Sequence, residues 1–127
     1  MVTDLSQVFL LVSDLSRSIH FYRQLLDRDP TSQDTRHARF DLDHASLTIH
    51  EDLTPAEILA WKIDPVPERR GWGVYLTFPT EDLDQAHRKL VAIGADILTT
   101  PRPTPWGTRM FLVKDPDGYL LELSERR

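Results

Sequence analysis

A carboxylate stands inside an otherwise apolar segment near the end of the chain. The stretch FLVKDPDGYLLELSE is typical of two strands joined by an Asp-Pro-Asp-Gly turn, and Glu122 lies between Leu121 and Leu123. Successive side chains of a strand point to opposite faces, so Glu122 points away from the face that the two leucines share. A carboxylate in that position can serve as a general base or as a metal ligand, which makes it the first candidate for chemistry.

Polar and aromatic side chains alternate with apolar ones in three further strand-like segments, SQVFLLV, SLTIHE and GVYLTF. One face of each segment is apolar and suits packing under a helix. Together with Glu122, the opposite face carries Gln7, Phe9, Thr48, His50, Tyr75 and Thr77. Ligand pockets combine apolar walls with a few converging polar groups, so we predict that this face lines a binding site.

The polar candidates also have a purely structural interpretation. Glu122 can be a carboxylate held by hydrogen bonds from Tyr75 or Gln7, because a buried charge needs partners. His50 can be a surface histidine beside two acidic residues. We interpret the other four histidines as incidental, because they fall on helices, turns or other strand faces. They are His20, His37, His44 and His87.

Three tryptophans and one arginine lie in or beside the connections around the second half of the chain. Trp72 and Trp106 are candidates for stacking on a ligand, because aromatic rings offer large apolar platforms; packing in the core or in a loop is the alternative for them and for Trp61. Arg109 follows the sequence PWGT and shares a strand face with Phe111. It can meet an anionic ligand or pair with an acidic neighbour at the surface.

The elements that position these side chains follow the same order twice. In the first half, SQVFLLV predicts a strand, SDLSRSIHFYRQLL a helix, and RHARFDL and SLTIHED two more strands, while DPTSQDT is mostly turn-like. TPAEILAWKI predicts a short helix, with Thr54 and Glu57 as a capping box. In the second half, GVYLTFPT predicts a strand and EDLDQAHRKLVAIG a helix capped by Thr80 and closed by Gly94. ADILTT, TRMFLVK and YLLELSE predict three more strands.

This repetition predicts an α+β fold made of two βαβββ modules, about residues 1–64 and 72–127, within a single domain. The segment DPVPERRGWG is rich in proline and glycine and joins them. Two such modules can set open, curved sheets side by side and enclose a cleft.

Composition narrows the classes of protein. The chain has 127 residues, a formal net charge of −5 and no cysteine. It has no basic stripe and no apolar run long enough to span a bilayer, so we expect neither a nucleic-acid nor a membrane partner. The lack of cysteine excludes disulfides, cysteine-type zinc sites and thiol catalysis. The acidic first residues are unlike a signal peptide, and we expect a cytoplasmic protein.

The sequence resembles the vicinal oxygen chelate superfamily, which includes glyoxalase I, extradiol dioxygenases and antibiotic-resistance proteins such as those for fosfomycin, bleomycin and mitomycin. The resemblance covers nearly the whole chain. Its motifs are VSDLSRSIHFYRQLL, EDLDQAHRKLVAIGAD and, most specifically, PWGTRMFLVKDPDGYLLEL. It implies paired βαβββ modules, a small-molecule ligand and a homodimer.

The resemblance also implies where a metal would bind. The metal enzymes of the superfamily place ligands at four strand positions, which here are Gln7, Thr48, Tyr75 and Glu122. Gln7 and Glu122 match ligand types of glyoxalase I enzymes, whereas Thr48 and Tyr75 depart from the pattern. A divalent ion such as Zn, Ni, Mn or Fe would need another donor, and His50, on the face of Thr48, can complete a set with Gln7 and Glu122.

Three functions follow from these residues and the resemblance. The first is a metal-independent protein that binds an apolar or aromatic small molecule, like the antibiotic-sequestering members. The second is a metal-dependent lyase, isomerase or dioxygenase that uses Gln7 and Glu122. The third is a metal-free enzyme with Glu122 as the base and Tyr75 as the acid or oxyanion donor. We rank them in this order.

Overall fold

The computed structural model describes residues 1–125 and divides the chain into two compact units. The first unit is Met1–Pro67 and the second begins at Glu68. This boundary falls within the proline- and glycine-rich connection. The structure of each unit by itself does not show whether the two units form a single domain or enclose a cleft. The single domain and the cleft therefore stay predictions.

The first unit is a four-stranded mixed sheet with two helices. Its elements are β1 (Gln7–Val12), α1 (Leu15–Leu26), β2 (Ser32–Gln33), β3 (His37–Asp41), β4 (Ser46–Glu51) and α2 (Pro55–Trp61). The strand order is β1-β4-β3-β2, with β1 parallel to β4 and the other pairs antiparallel. A parallel pair needs a crossover connection, and α1 provides it.

Local signals in the sequence fix the two helices of this unit. The side chain of Asp14 caps α1 by accepting a hydrogen bond from the Arg17 amide. At the start of α2, Thr54 and Glu57 form the predicted capping box. None of the residues of α2 is buried, so tertiary packing contributes little to it.

An arginine fastens α2 to the sheet. Arg36 Nε donates to Glu51 Oε1 at 2.6 Å, and its two terminal nitrogens donate to the two carboxylate oxygens of Glu57 at 2.7 and 2.9 Å. The hydrogen bonds from Arg36 lower the pKa of Glu57 from 4.5 to about 2. The forked guanidinium thus links β4 and α2 through one side chain.

The second unit repeats this plan with one more short strand. Its elements are β5 (Tyr75–Thr80), α3 (Leu83–Ala92), β6 (Asp96–Ile97), β7 (Arg102–Pro103), β8 (Arg109–Lys114) and β9 (Leu120–Glu125). The sheet order is β5-β9-β8-β6, and β7 pairs with β8 beside this path. β5 is parallel to β9, as β1 is to β4. Both units therefore have the predicted α+β, βαβββ arrangement, to which the second unit adds the short strand β7.

Three details differ from the sequence prediction. Asp82, not Thr80, caps α3, because its carboxylate reaches the Gln85 amide at 3.0 Å. The strand predicted over ADILTT is only the two residues of β6. The two-residue β7 was not predicted: it contains Pro103, which cannot donate to a sheet ladder.

Each sheet packs one face under its helix, as the alternation predicts. In the first unit Leu10, Val12, Leu47 and Ile49 are buried, with Ile19 and Tyr22 of α1. In the second unit the buried apolar residues are Phe111, Val113, Leu121, Leu123, Leu83 and Leu90. We call the opposite face of each sheet its open face. It is on this face that the sequence places Gln7, Thr48, Tyr75 and Glu122.

Candidate functional site

Glu122 lies on the open face of the second sheet and is held by a threonine. Thr77 Oγ1 donates to Glu122 Oε1 at 3.1 Å. The register explains the pairing, because Thr77 stands directly opposite Glu122, whereas Tyr75 stands opposite Leu120. Within this unit the donor to the carboxylate is therefore Thr77 and not Tyr75, which was one of the two donors, with Gln7, that the structural interpretation offers.

A pocket of about 830 Å³ opens beside Tyr75 in the same unit. It lies between the open face of the sheet and the loop formed by residues 68–74. Its lining residues are Glu68, Arg69, Arg70, Gly71, Trp72, Gly73, Val74, Tyr75, Leu98, Lys114, Asp117, Gly118 and Leu120. The pocket therefore contains two of the predicted ligand-binding residues, Trp72 and Tyr75.

The 68–74 loop is seated on the turn between β8 and β9. A Cβ atom at Gly71 would lie 2.7 Å from Tyr119 Cδ1 and 3.1 Å from Tyr119 Cα, so only glycine fits there. Next to it, Arg70 forms an ion pair with Asp117 at 3.8 Å. Burial raises the pKa of the Tyr119 phenol above its usual value, while the Arg70 charge opposes that rise. These contacts fix the position from which Trp72 extends.

The turn that receives the loop is itself tightly hydrogen-bonded. The Asp115 carboxylate accepts from the backbone amides of Asp117 and Tyr119, both at 2.9 Å. Gly118 follows with a φ of 96°, a left-handed conformation that glycine adopts without strain. The DPDGY sequence therefore forms a turn that is held by its own hydrogen bonds, and the 68–74 loop packs against this turn.

Trp72 is the most prominent side chain of the pocket. It is 81% exposed, although an indole is costly to leave in water. The guanidinium of Arg69 lies over the ring, with its central carbon 4.7 Å from the ring centroid. A stacked cation stabilises and orients the indole without burying it.

The open face of the first sheet carries a stack of aromatic and histidine rings. Phe9 and His50 stack with ring centroids 5.5 Å apart, and His50 stacks on His37 at 6.3 Å. His50 Nδ1 lies 2.5 Å from the carbonyl oxygen of Glu51, and His37 Nδ1 lies 2.9 Å from the Asp34 carboxylate. His37, which we interpreted as incidental, is thus part of the environment of His50.

The remaining two site candidates lie away from the pocket. Arg109 shares the helix-packed face with Phe111 and pairs with Asp84 at 2.9 Å and with Glu125 at 3.4 Å. These neighbours raise the pKa of Arg109 and, through the Arg109 bond, lower that of Asp84. Trp106 lies in the turn formed by residues 104–108. Hydrogen bonds between Thr104 and Thr108 close this turn. A role for either residue in ligand binding stays a prediction.

The model of the Glyoxalase/Bleomycin resistance protein/Dioxygenase superfamily matches residues 4–123 of the chain. The chain belongs to this superfamily. A Bacillus subtilis (strain 168) protein, the uncharacterized YraH, is 28% identical over 94% of this chain and 95% of its own length. A probable lactoylglutathione lyase of Vibrio cholerae is 25% identical over 93% of this chain and 87% of its own. The crystal structure of a glyoxalase-related enzyme from Fulvimarina pelagi has the same fold, with a TM-score of 0.83 at 20% identity, and the match covers 98% and 89% of the two chains.

Metal-dependent members of the superfamily raise the question of whether the donors here fit an ion. Thr48 is only 5% exposed and donates to Gln7 Oε1 at 3.0 Å, so these two groups engage each other. Gln7 is opposite Ser46 in the register, and His50 lies four residues further along β4. That is about 13 Å along the strand, too far for easy joint ligation by Gln7 and His50. No group of three His, Cys, Asp or Glu side chains suited to a metal occurs among residues 1–125.

These donors do not fit a conventional metal centre of the superfamily. A threonine hydroxyl and a phenol replace the imidazole or carboxylate that a divalent ion prefers at two of the four positions. We therefore derive no chemical step through a metal. The set of Gln7, His50 and Glu122 stays a prediction.

Sequence reasoning missed several residues of the pocket. Lys114, Leu98 and Leu120 line it, together with Arg69. A lysine at the end of a strand is usually a solvated residue, so the residue type alone does not predict a binding role for Lys114. The signal that could have revealed it is the alternation in TRMFLVK, which sets Lys114 on the face opposite Phe111 and Val113.

No helix within residues 1–125 is both long and apolar enough to cross a membrane.

Proposed function

We propose that this protein binds a planar, apolar or aromatic small molecule in the pocket of the second unit, without a metal ion. The observation that carries the proposal is the pocket itself, where the rings of Trp72 and Tyr75 stand beside Val74, Leu98 and Leu120. Small-molecule sites are concave and mostly apolar, with a few polar groups that fix orientation. The superfamily's members bind small molecules, which agrees with this use of the pocket.

The exposure of the two aromatic rings supports the same conclusion. Trp72 is 81% exposed and Tyr75 is 56% exposed, and both line one concave surface. Covering a large ring removes apolar area from water, at about 25 cal/mol for each Å². Because Gly71 and the Arg70–Asp117 pair hold the loop in place, little ordering entropy is lost when a ligand binds.

Tryptophan fluorescence tests the proposal, because only one of the three tryptophans lines the pocket. Planar aromatic compounds, including aromatic antibiotics, are titrated into protein treated with a chelator. We expect quenching that Trp72→Phe largely removes, whereas Trp61→Phe, the control at an exposed tryptophan of the first unit, retains it. Quenching that persists unchanged in Trp72→Phe would place the ligand elsewhere. Binding that requires added metal would contradict metal independence.

A second function, that of a metal-dependent lyase of the glyoxalase I type, has one observation in its favour. The probable lactoylglutathione lyase of Vibrio cholerae is 25% identical along 93% of the chain. In this function Gln7 and Glu122 would be ligands, and Glu122 would also act as a base.

The count of bound ions separates the two functions. The protein is stripped of metal, dialysed separately against Zn, Ni, Mn and Fe(II), and its bound ions are counted. About one ion per chain that disappears in Glu122→Gln would favour the lyase. No tight binding of any of the four ions would remove it.

A further inference from the structure

We propose that the pocket selects an anionic ligand, specifically a planar aromatic carboxylate. The proposal rests on the proposed binding of an aromatic molecule in this pocket and adds the charge of the ligand. Three observations carry it: the balance of charge in the lining, the row of side chains across the sheet, and the arginine stacked on Trp72.

The charge of the pocket is opposite to that of the whole protein. The chain has a net charge of −5, yet three cationic and two acidic residues line the pocket. Arg70 and Asp117 already form an ion pair, and their side chains are only 11% and 4% exposed. They therefore neutralise each other and are withdrawn from solvent.

The groups that remain are Arg69 and Lys114, against the single carboxylate of Glu68. Neither cation forms an ion pair with any residue in the 1–125 range. Asp96 stands opposite Lys114 in the register, but the two side chains do not come within ion-pair distance. An anion that enters the pocket consequently meets two cations whose charge no carboxylate of the protein has satisfied.

A row of three side chains gives the pocket its length and polarity. Lys114 is opposite Leu120, and Leu120 is opposite Tyr75, so the three lie side by side on the open face. Neighbouring strands are about 4.8 Å apart, which places the outer two about 10 Å from each other. Leu120 thus forms an apolar floor between an ammonium group and a phenol. A one- or two-ring aromatic acid fits this span, with its ring on Leu120 and its carboxylate at Lys114.

Arg69 completes the arrangement from the loop. Its guanidinium lies over Trp72, with the central carbon 4.7 Å from the ring centroid, and it donates no hydrogen bond to any residue in the described range 1–125. The N–H groups point outward in the plane of the guanidinium, so they stay able to donate to a planar carboxylate. A ligand whose ring contacts Trp72 would therefore find a donor at the edge of that ring.

Calorimetric titration with two matched probes tests the charge separately from the aromatic ring. The probes are 2-naphthoate and 2-naphthamide, which differ in charge but hardly in shape. We expect the carboxylate to bind about tenfold more tightly, the effect of one favourable charge-assisted contact. Lys114→Gln keeps a donor and most of the side-chain length but removes the charge, and we expect it to abolish most of this preference. Arg69→Gln reduces it as well, and added salt weakens it in the wild type.

Arg102→Gln is the control, because Arg102 is an exposed cation of the same unit that does not line the pocket. It should leave the preference unchanged, and circular dichroism checks that each variant is folded. Equal affinities for the two probes would overturn the anionic ligand but leave aromatic binding intact. A preference that survives both Lys114→Gln and Arg69→Gln would also overturn it. No binding of either probe would refute the proposed function and this inference together.

Discussion

Gly71 allows the tightest test of how the pocket is built. Its φ is 71°, in the left-handed region, and an added Cβ would lie 2.7 Å from Tyr119 Cδ1 and 3.1 Å from Tyr119 Cα. Gly73 provides a matched control two residues away, because its φ is 87° and a Cβ there would meet nothing within 4 Å. The two alanine substitutions share the backbone penalty and differ in the steric one.

The expected magnitudes follow from these geometries. A left-handed conformation costs alanine about 1–2 kcal/mol relative to glycine. The loss of unfolded-state freedom returns about 0.4–1 kcal/mol of that cost. Gly73→Ala should therefore lower the free energy of unfolding by roughly 0–1.6 kcal/mol. Gly71→Ala adds the overlap with Tyr119, and overpacking of this kind costs a further ~1–3 kcal/mol.

Urea unfolding followed by circular dichroism measures both variants. The difference between them isolates the overlap, because the backbone and unfolded-state contributions cancel. Tyr119→Ala in the Gly71→Ala background should recover part of the loss, since it removes Cδ1 but leaves Cα in place. If Gly71→Ala were no more destabilising than Gly73→Ala, the loop would not be seated on Tyr119 and the reasoning about the pocket wall would fail.

Three further predictions concern the rest of the molecule. Leu90→Ala should cost about 2–5 kcal/mol of unfolding free energy because Leu90 is buried, while Val91→Ala, at an exposed neighbour, should cost less than about 0.5 kcal/mol; denaturant titration compares them. Because Arg36 lowers the folded-state pKa of Glu57 from 4.5 to about 2, stability should fall as the pH drops through this range, and acid titrations should show a shallower loss for Glu57→Gln. We also expect a homodimer; a monomer at all micromolar concentrations in sedimentation equilibrium would contradict this.

Alternation and capping made most of the fold predictable. Period-two burial in β1 and β9 follows directly from the sequence, as does the capping box of α2, whereas in β4 the burial of Thr48 interrupts the alternation. The prediction that Thr80 caps α3 was wrong because Thr80 and Asp82 are both good capping residues and lie two positions apart. Their geometry decides between them: Asp82 reaches the helix, and Thr80 Oγ1 accepts from the Asp82 amide at 3.3 Å.

The pocket was less predictable because it depends on the register between strands. The sequence alone can put Lys114 and Tyr75 on the same face, but only the pairing sets both beside Leu120. A single-residue change of register would send one of them to the other face. The packing of the 68–74 loop against Tyr119 is likewise a contact between segments that are distant in sequence. Nothing in the sequence around Gly71 specifies this contact.

The two units share the same pattern of strand pairing but carry different side chains at equivalent positions. In the first unit the row that corresponds to Tyr75–Leu120–Lys114 is Gln7–Ser46–Asp41. The strand pairings are equivalent, yet this row ends in a carboxylate that accepts from Arg39 at 3.0 Å. An aromatic anion would find there neither an apolar floor nor an unsatisfied cation. The strand pairing that both units share therefore does not by itself create a binding site. The side chains at the three equivalent positions create it, and in this chain they favour the second unit.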